Sequence, residues 1–534
     1  MATLTLATDE IVGFLHAIVG KEAVLTSEPE RRHFAMDFSE TDVVLPIAVV
    51  KPTNAEQIAE IVRLAAAKGV AVTARGGGMS YTRAHVPVRP ETIIIDVTGL
   101  NRILEINLTD RYVTLEPGVR WCDLREALRP TGYRVPYLGT LSGSIATIGG
   151  GLSQNATGTG RMTLAEHVLG LEVVTGDGSI VTTGSGAIAG TAPFYRYFGP
   201  DLSGLFLCDS GAFGIKTKCT LLLEPRPRAA FRTFTFDSHL DLVAAQVEFG
   251  KSGLVTECFG FDGYYLADLA KSPKPPPGHM KAMVANFLAD NPNRFWAVRN
   301  LLRAWHPTGL GFFAGKPNAV YTITEAHSQG AAESMSRKVE KIARRLGGKT
   351  LPTAIPMGLR YGPWLNVGDI IATPKGEVNF PVNAKFPASQ AVPAMKAFDA
   401  FLAENKALME RHGIRVVCNY LMHGHFWGLE VVIYWKRPLS AYRAAFASEA
   451  RKKFYEGIPD NPEATAAAID LRQRAALLFR SLGSLHVQVA KAYPYLEHMT
   501  PGTRRLIEGI KAVTDPDGII NPGALGLGNP LGNP

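Results

Sequence analysis

The sequence has little cysteine and no close cysteine pair. The five cysteines, Cys122, Cys208, Cys219, Cys258 and Cys418, are odd in number and widely spaced. The absence of C-x-x-C excludes zinc ribbons, thioredoxin-type chemistry and covalent c-type haem. A reducing compartment fits this usage. Long Lys/Arg runs, zinc-finger spacing and aromatic RNA-binding motifs are also missing, so no nucleic-acid partner is expected. The charge excess is mild, 56 Lys and Arg against 48 Asp and Glu, or +8. It favours anionic ligands or acidic lipid surfaces without choosing between them. The longest uncharged stretch, Val135 to Gly160, is broken by glycine and rich in Ser and Thr, so it is no membrane span. The first residues lack the basic region of a secretory leader and carry Asp9 and Glu10 instead. Ile11, Phe14, Leu15 and Ile18 follow helical spacing and predict an amphipathic helix capped by Thr8. A cytoplasmic chain is expected.

What is present is globular. The chain is 46% hydrophobic and 19% charged over 534 residues, which excludes disorder and predicts two to four domains or subdomains. Residues 42–50 read as a strand and 52–69 as a helix with a Thr53/Glu56 capping box, an apolar face of Ile58, Ile61, Val62 and Ala65, and Gly69 at its end. Residues 70–75 read as a buried strand entering Gly76-Gly77-Gly78. Short strands and hairpins follow to about residue 225, with Asp177-Gly178 marking a tight turn. Beyond 230 a strand and helix precede a proline-rich exposed loop at 271–278, strand–helix alternation recurs over 317–350, and 414–437 read as an aromatic hairpin. Residues 464–482 read as a helix.

Four glycine-bearing blocks stand out: Arg75-Gly76-Gly77-Gly78-Met79-Ser80, the segment Gly139–Gly160, Asp209–Ile215 and Asp515–Gly523. Glycines after a strand let the backbone approach a ligand, and consecutive N–H groups can cradle phosphate oxygens; a plain turn is the other reading. Neither a P-loop nor the Rossmann fingerprint is present. In order and spacing the blocks resemble the FAD-binding fold of the vanillyl-alcohol oxidase and p-cresol methylhydroxylase superfamily. The shared signs are V-x-K-P before the glycine loop, R-G-G-G-x-S, I-x-T-I-G-G, S-G-x-x-G-I and a closing D-P-x-G-I-x-N-P-G. The middle and tail look closest to the D-lactate dehydrogenase and alkylglycerone-phosphate synthase branch.

The resemblance implies an α+β fold. A p-cresol-methylhydroxylase-type FAD-binding domain of two α/β subdomains (1–225) is followed by a cap of antiparallel sheet and helices (226–484), and the tail (485–534) returns to the FAD domain. By motif, Gly76, Gly77, Gly78, Met79 and Ser80 would hold the pyrophosphate. Leu141, Ser142, Thr147, Gly150 and Gly158 would line flavin or adenosine. Gly211, Gly214 and Ile215 would meet the adenine side, and Asn521 would sit near the ring system. Met79 stands where relatives with a histidyl flavin link carry histidine, so FAD is expected to be non-covalent. The implied activity is hydride transfer from an alcohol, hydroxy acid or phenolic alcohol to flavin N5, with reoxidation by oxygen or another acceptor. The alternative is a flavin-dependent transferase without net redox. A homodimer is expected.

Candidate catalytic residues lie in the cap. His423 and His425, placed on one strand face by alternation, and Glu430 with His486 offer a proton acceptor for the substrate hydroxyl. The other reading makes the histidines surface or hydrogen-bonded core residues. Arg360 and Tyr361 could hold a carboxylate or phenolate, or form an ion pair within the cap. The metal-binding histidine motifs of hydroxy acid dehydrogenases are incomplete around His425 and His486, so no catalytic metal is expected. The cap aromatics, Trp364, Phe426 and Trp427 among them, suit an aromatic substrate or a plain core. Residues 294–306 place Phe295, Val298, Leu302 and Trp305 on one face beside Arg294, Arg299 and Arg303. That pattern fits weak membrane-surface contact, or packing on its own domain or on a second subunit.

Overall fold

The computed structural model describes residues 2–156, 158–160, 163–270, 277–291, 293–362, 364, 368 and 371–528. Most of the proline-rich loop, 271–276, lies outside them. The chain divides into two compact units. The first comprises Met1–Thr159, Thr163–Pro225 and Gln488–Pro534, the second Gly160–Met162 and Arg226–Val487.

The first unit opens with helix α1 (Ala2–Val19). Thr8 is interior to it, not its cap, because nothing from Ala2 to Ala7 breaks a helix. Ile11 and Leu15 are buried as expected. Strands β1 (Val24–Leu25) and β2 (Ala48–Val50) are antiparallel. The expected strand from residue 42 is confined to its last three residues. Pro46 lies ahead of it, and its carbonyl accepts from Arg31. Helix α2 (Ala55–Lys68) buries Ile58, Ile61, Val62 and Ala65 and ends at Gly69 with φ 65°. Its cap is Asn54, which accepts from the Gln57 N–H, while the Gln57 side chain accepts from the Thr53 N–H. The box thus stands one residue later than Thr53/Glu56. Strands β3 (Ala71–Arg75) and β4 (Thr92–Asp96) complete a sheet ordered β1-β2-β4-β3, parallel except at β1. At Val72, residues 519–521 add a further parallel bridge.

A second sheet in this unit is antiparallel throughout. It contains β5 (Ile103–Asn107), β6 (Tyr112–Leu115), β7 (Val168–Val174), β8 (Ile180–Thr182) and β9 (Ile215–Leu222), ordered β8-β7-β9-β6-β5. The Asp177-Gly178 turn joins β7 to β8, with Gly178 at φ 74°. Helix α3 (Ile148–Gln154) lies in the glycine-rich segment between β6 and β7.

The second unit is built on one seven-stranded antiparallel sheet. In chain order its elements are β10 (Arg228–Thr235), α4 (His239–Lys251), β11 (Glu257–Asp262), α5 (Gly263–Ala270), α6 (Pro277–Asp290), α7 (Arg294–Ala304), β12 (Asn318–Ala326), α8 (Gln329–Arg345) and β13 (Lys349–Leu351). They continue with α9 (Ala354–Tyr361), β14 (Glu377–Pro387), α10 (Ala391–Glu404), β15 (Arg415–His423), β16 (Phe426–Lys436) and α11 (Pro462–Ser481). The strand order is β13-β10-β12-β11-β15-β16-β14. Alternation along β16 buries Trp427, Leu429, Val431, Ile433 and Trp435 on one face. There Phe386 meets Trp427 and Phe479, and Phe479 meets Phe398. Trp427 donates to Gln246 at 3.0 Å, so it is core. The opposite face carries Glu430.

Ile61 is fully buried in the first unit. Ile61→Ala is expected to cost about 2–5 kcal/mol, read as a lower thermal midpoint by calorimetry. Leu506→Ala, at an exposed position, is expected to leave the midpoint unchanged.

Candidate functional site

The first unit presents a cradle of loops. Strand β3 runs into Gly76-Gly77-Gly78. Behind this loop the Asp37 carboxylate accepts from the Arg83 N–H at 2.7 Å and the Ser39 N–H at 2.9 Å. Burial pushes the Asp37 pKa up, opposed by the Ser39 and Ser80 hydroxyls. Ser80 Oγ accepts from the Thr82 N–H at 3.0 Å. The Arg75 guanidinium lies 4.5 Å from the Phe34 ring centroid. His85 donates from Nε2 to the Met36 carbonyl at 2.9 Å. Burial first, and the Arg75 charge second, hold its pKa down at about 3.

Close approach explains the glycines. A Cβ on Gly77 would lie 2.2 Å from the Ile145 carbonyl oxygen, and one on Gly76 would lie 2.3 Å from Thr147 Oγ1. The segment around Thr147 therefore presses directly on the glycine loop. Thr147 Oγ1 also caps α3 by accepting from the Gly150 N–H at 3.3 Å. The Ser142 hydroxyl pairs with Thr140 at 2.7 Å, and Leu141 is exposed beside it. Gly158 stands against the Gly139 carbonyl. Among the described residues, no protein acceptor faces the N–H groups of Gly77, Met79 and Ser80. Backbone donors left open in this way can cradle an anion such as a pyrophosphate.

Other expected ligands have structural duties. Ile215 belongs to the hydrophobic core, and a Cβ on Gly214 would lie 2.5 Å from Val173 Cγ1. Both residues are packed against the core of the first unit. The Asn521 amide is taken by three protein groups. It accepts from Thr73 Oγ1 at 3.1 Å and donates to the Ala84 carbonyl at 2.9 Å and the Ser210 carbonyl at 2.7 Å. Gly211, at φ 68°, stands beside it. Asn521 thus braces three loops.

Sequence reasoning missed the buried pair Lys216–Asp209 at 2.9 Å, although these residues bracket the S-G-x-x-G-I block. It also missed Lys511. That ammonium donates to the Ala212 and Ile520 carbonyls at 2.7 and 2.8 Å and pairs with Asp515 at 2.5 Å.

The second unit gathers a polar row on the face of its sheet that helix α5 covers. Register places Asn383 of β14, Glu430 of β16 and Asn419 of β15 side by side. Asn419 Nδ2 donates to Glu430 Oε2 at 3.1 Å. Asn419 Oδ1 is buried and has no partner among the described residues. Burial pushes the Glu430 pKa up, against the Asn419 hydrogen bond. Tyr265 of α5 stacks on Phe261 at 4.5 Å, and its pKa is pushed up to about 12 by burial and then by the Glu430 and Asp268 charges.

The segment 485–487 pairs along β14. Lys385 bridges Leu485, the Val487 N–H donates to Asn383 Oδ1 at 3.1 Å, and His486 Nδ1 donates to the Asn383 carbonyl at 2.9 Å. A carbonyl only accepts, so neutral His486 carries its lone pair on Nε2.

His423 pairs with Phe426 across the hairpin, which leaves Gly424 and His425 as a two-residue turn with Gly424 at φ 57°. His425 is therefore exposed at a tip and does not share the strand face of His423, because alternation stops at the turn. His423 stacks on Phe426 at 5.2 Å. Burial, then the Lys385 charge, lower its pKa to about 4. Of the two readings for Arg360, the structure shows the ion pair. Its buried guanidinium meets Glu257 at 3.2 Å and also Glu325. Tyr361 is core, its hydroxyl accepting from Asn291 at 3.1 Å.

Residues 46–184 match the family described as FAD binding domain. The chain carries an FAD-binding domain. FAD is its cofactor. Over 222 residues the chain is 32% identical to an uncharacterized FAD-linked oxidoreductase of Mycobacterium tuberculosis, which covers 41% of this chain and 46% of that protein. Over 243 residues it is 28% identical to the glycolate oxidase subunit GlcD of Bacillus subtilis, which covers 45% and 50%. The chain thus spans about half the length of the curated relatives it matches. Substrate-bound p-cresol methylhydroxylase superposes with a TM-score of 0.72 at 18% identity over 98% of this chain and 97% of that one. The chain has that fold.

Because Gly77 leaves no room for a Cβ against Ile145, Gly77→Ala is expected to lower the flavin-to-protein absorbance ratio of the FAD-binding domain at least severalfold, with secondary structure retained by circular dichroism. The His423 ring is ordinary when unfolded and titrates near pH 4 when folded. Between those values the unfolded chain binds the extra proton, so stability is lost as pH falls from about 6.5 towards 4. His423→Gln is expected to flatten the dependence of thermal midpoint on pH in that window.

Proposed function

We propose that the protein is an FAD-dependent oxidoreductase acting on a small hydroxyl-bearing substrate, an alcohol, hydroxy acid or phenolic alcohol. The match of residues 46–184 to an FAD-binding domain carries this reading above all. The free donors of Gly77, Met79 and Ser80 support pyrophosphate binding. Met79 offers no nucleophile for a flavin link, and His85 is engaged by the Met36 carbonyl, which supports non-covalent FAD. Bound FAD supplies the two-electron acceptor at N5 for a hydride leaving the substrate carbon.

The polar row of the second unit supports the other half of the reaction. Glu430 accepts the substrate hydroxyl proton. Its raised pKa makes the carboxylate a better base than an exposed one. Asn419 orients the carboxylate, and His486 Nε2 is a second acceptor. Phe261, Tyr265 and the Lys385 ammonium, which lies over the Phe426 ring, favour an aromatic or anionic substrate. The electron acceptor after turnover is dioxygen, a quinone or a cytochrome. A cytoplasmic homodimer completes the proposal.

The visible spectrum is the first test. Flavin bands near about 450 nm are expected in the purified protein, with yellow colour in the supernatant after acid precipitation. Anaerobic addition of a panel of 2-hydroxy acids, aryl alcohols and 4-alkylphenols is expected to bleach the band with at least one member. Failure of all of them, with FAD present, would favour the transferase without net redox. Glu430→Gln is expected to lower the bleaching rate about 10²–10⁴-fold while the flavin spectrum stays intact.

A further inference from the structure

Helix α7 is inside out. Its small and polar side faces the protein. Ala297 and Asn300 are buried, and Asn300 Nδ2 donates to Asn291 Oδ1 at 3.1 Å. Its apolar stripe faces solvent. Phe295 is 65% and Trp305 is 68% exposed, and Val298, Leu301 and Leu302 are each at least half exposed. The preceding helix α6 exposes Val284 and Leu288 in the same way. Packing of this apolar stripe on its own domain is therefore not what the structure shows, which leaves a second subunit or a membrane surface. Clustered exposed apolar side chains mark an interaction site.

The charge within this stretch of chain is mostly positive, and the Glu333 carboxylate from α8 lies 3.9 Å from Arg299. Residues 277–316 contain Lys281, Arg294, Arg299, Arg303 and Lys316 against a single acid, Asp290. Asp290 is already paired with Arg226 at 3.0 Å. Arg303 is paired with Glu333 at 2.7 Å, whereas Lys281 and Arg294 have no ion pair among the described residues. The Arg299 guanidinium lies over the Trp296 ring at 5.2 Å and Lys316 over Phe312 at 4.5 Å.

We infer that the α6–α7 face is a docking surface for an anionic phospholipid bilayer, with the apolar stripe in the acyl boundary and the cations at the headgroups. An amphipathic helix with a cationic flank and Trp, Phe and Leu on the other face lies in that plane. A second copy of the chain suits the face less well. Isologous pairing would bring two copies of the same cation-bearing face together across an apolar seam. The inference stands apart from the redox proposal, since no residue of the FAD cradle or the Glu430 row takes part.

The test is co-sedimentation of the full-length holoprotein with vesicles of phosphatidylcholine alone or with 30% phosphatidylglycerol, a proportion chosen as roughly that of an acidic leaflet. At least fivefold more pelleting with the anionic vesicles is expected, and 0.5 M salt, at which the Debye length is only about 4–5 Å, should weaken it. Trp fluorescence of the unaltered protein is expected to shift to the blue with anionic vesicles only. The variants Phe295→Ser/Leu302→Ser/Trp305→Ser and Lys281→Glu/Arg294→Glu change exposed positions, so each should lose pelleting at least fivefold with an unchanged melting temperature. Equal pelleting with both vesicles, or pelleting untouched by both variants, would overturn the inference. So would a dimer that the triple variant converts to monomer without any vesicle binding, since the face would then be a self-interface.

Discussion

The first unit depends on holding a distant piece of chain in place. Its sheets come from the first 225 residues, yet residues 519–521 must lie beside β3 to complete it. Backbone pairing at Val72 does part of this, with the Val72 N–H donating to Ile519 at 2.9 Å and the Asn521 N–H donating back at 2.8 Å. The side chains do the rest. Asp515 accepts from the Ile519 and Ile520 N–H groups at 3.0 and 2.8 Å, which folds the turn. Lys511 and Asn521 then satisfy carbonyls of the 84 and 210–212 loops. A buried amide or ammonium without these partners would be costly. The clamp therefore fixes the tail and the cofactor loops together.

The glycine loops follow from the same economy of space. Gly76 and Gly77 touch the Ile145–Thr147 segment so closely that no side chain fits. Beside this contact the N–H groups of Gly77, Met79 and Ser80 have no acceptor among the described residues, which is the observation behind the proposed pyrophosphate site. Glycine at 76, 77 and 158 thus serves loop-on-loop packing.

In the second unit, the polar row arises from register. Asn383, Glu430 and Asn419 lie far apart in the chain and meet only because β14, β16 and β15 are neighbours in a particular alignment. A shift of one residue would bury Glu430 among Trp427 and Leu429. The same register removes His425 from the strand, since the hairpin closes at His423 and Phe426. Arg360 and Tyr361, for which the sequence leaves both substrate recognition and an ion pair within the cap open, are engaged in ion pairing and core packing by Glu257, Glu325 and Asn291.

The sequence by itself determined the α+β class and the FAD cofactor. These are written locally, in glycine after a strand, in helical periodicity from Ile58 to Ala65, and in ordered blocks whose spacing survives without coordinates. It also showed the amphipathic pattern of 294–306, but not which side would face inward. Tertiary structure alone decided that Asn521 braces loops, that Ile215 is core, that Asn54 rather than Thr53 caps its helix, and that Glu430 stands beside Asn419. The physical reason is range. Periodicity and turn chemistry act over a few residues, whereas strand register, buried ion pairs and the burial of a helix face are set by neighbours hundreds of positions away.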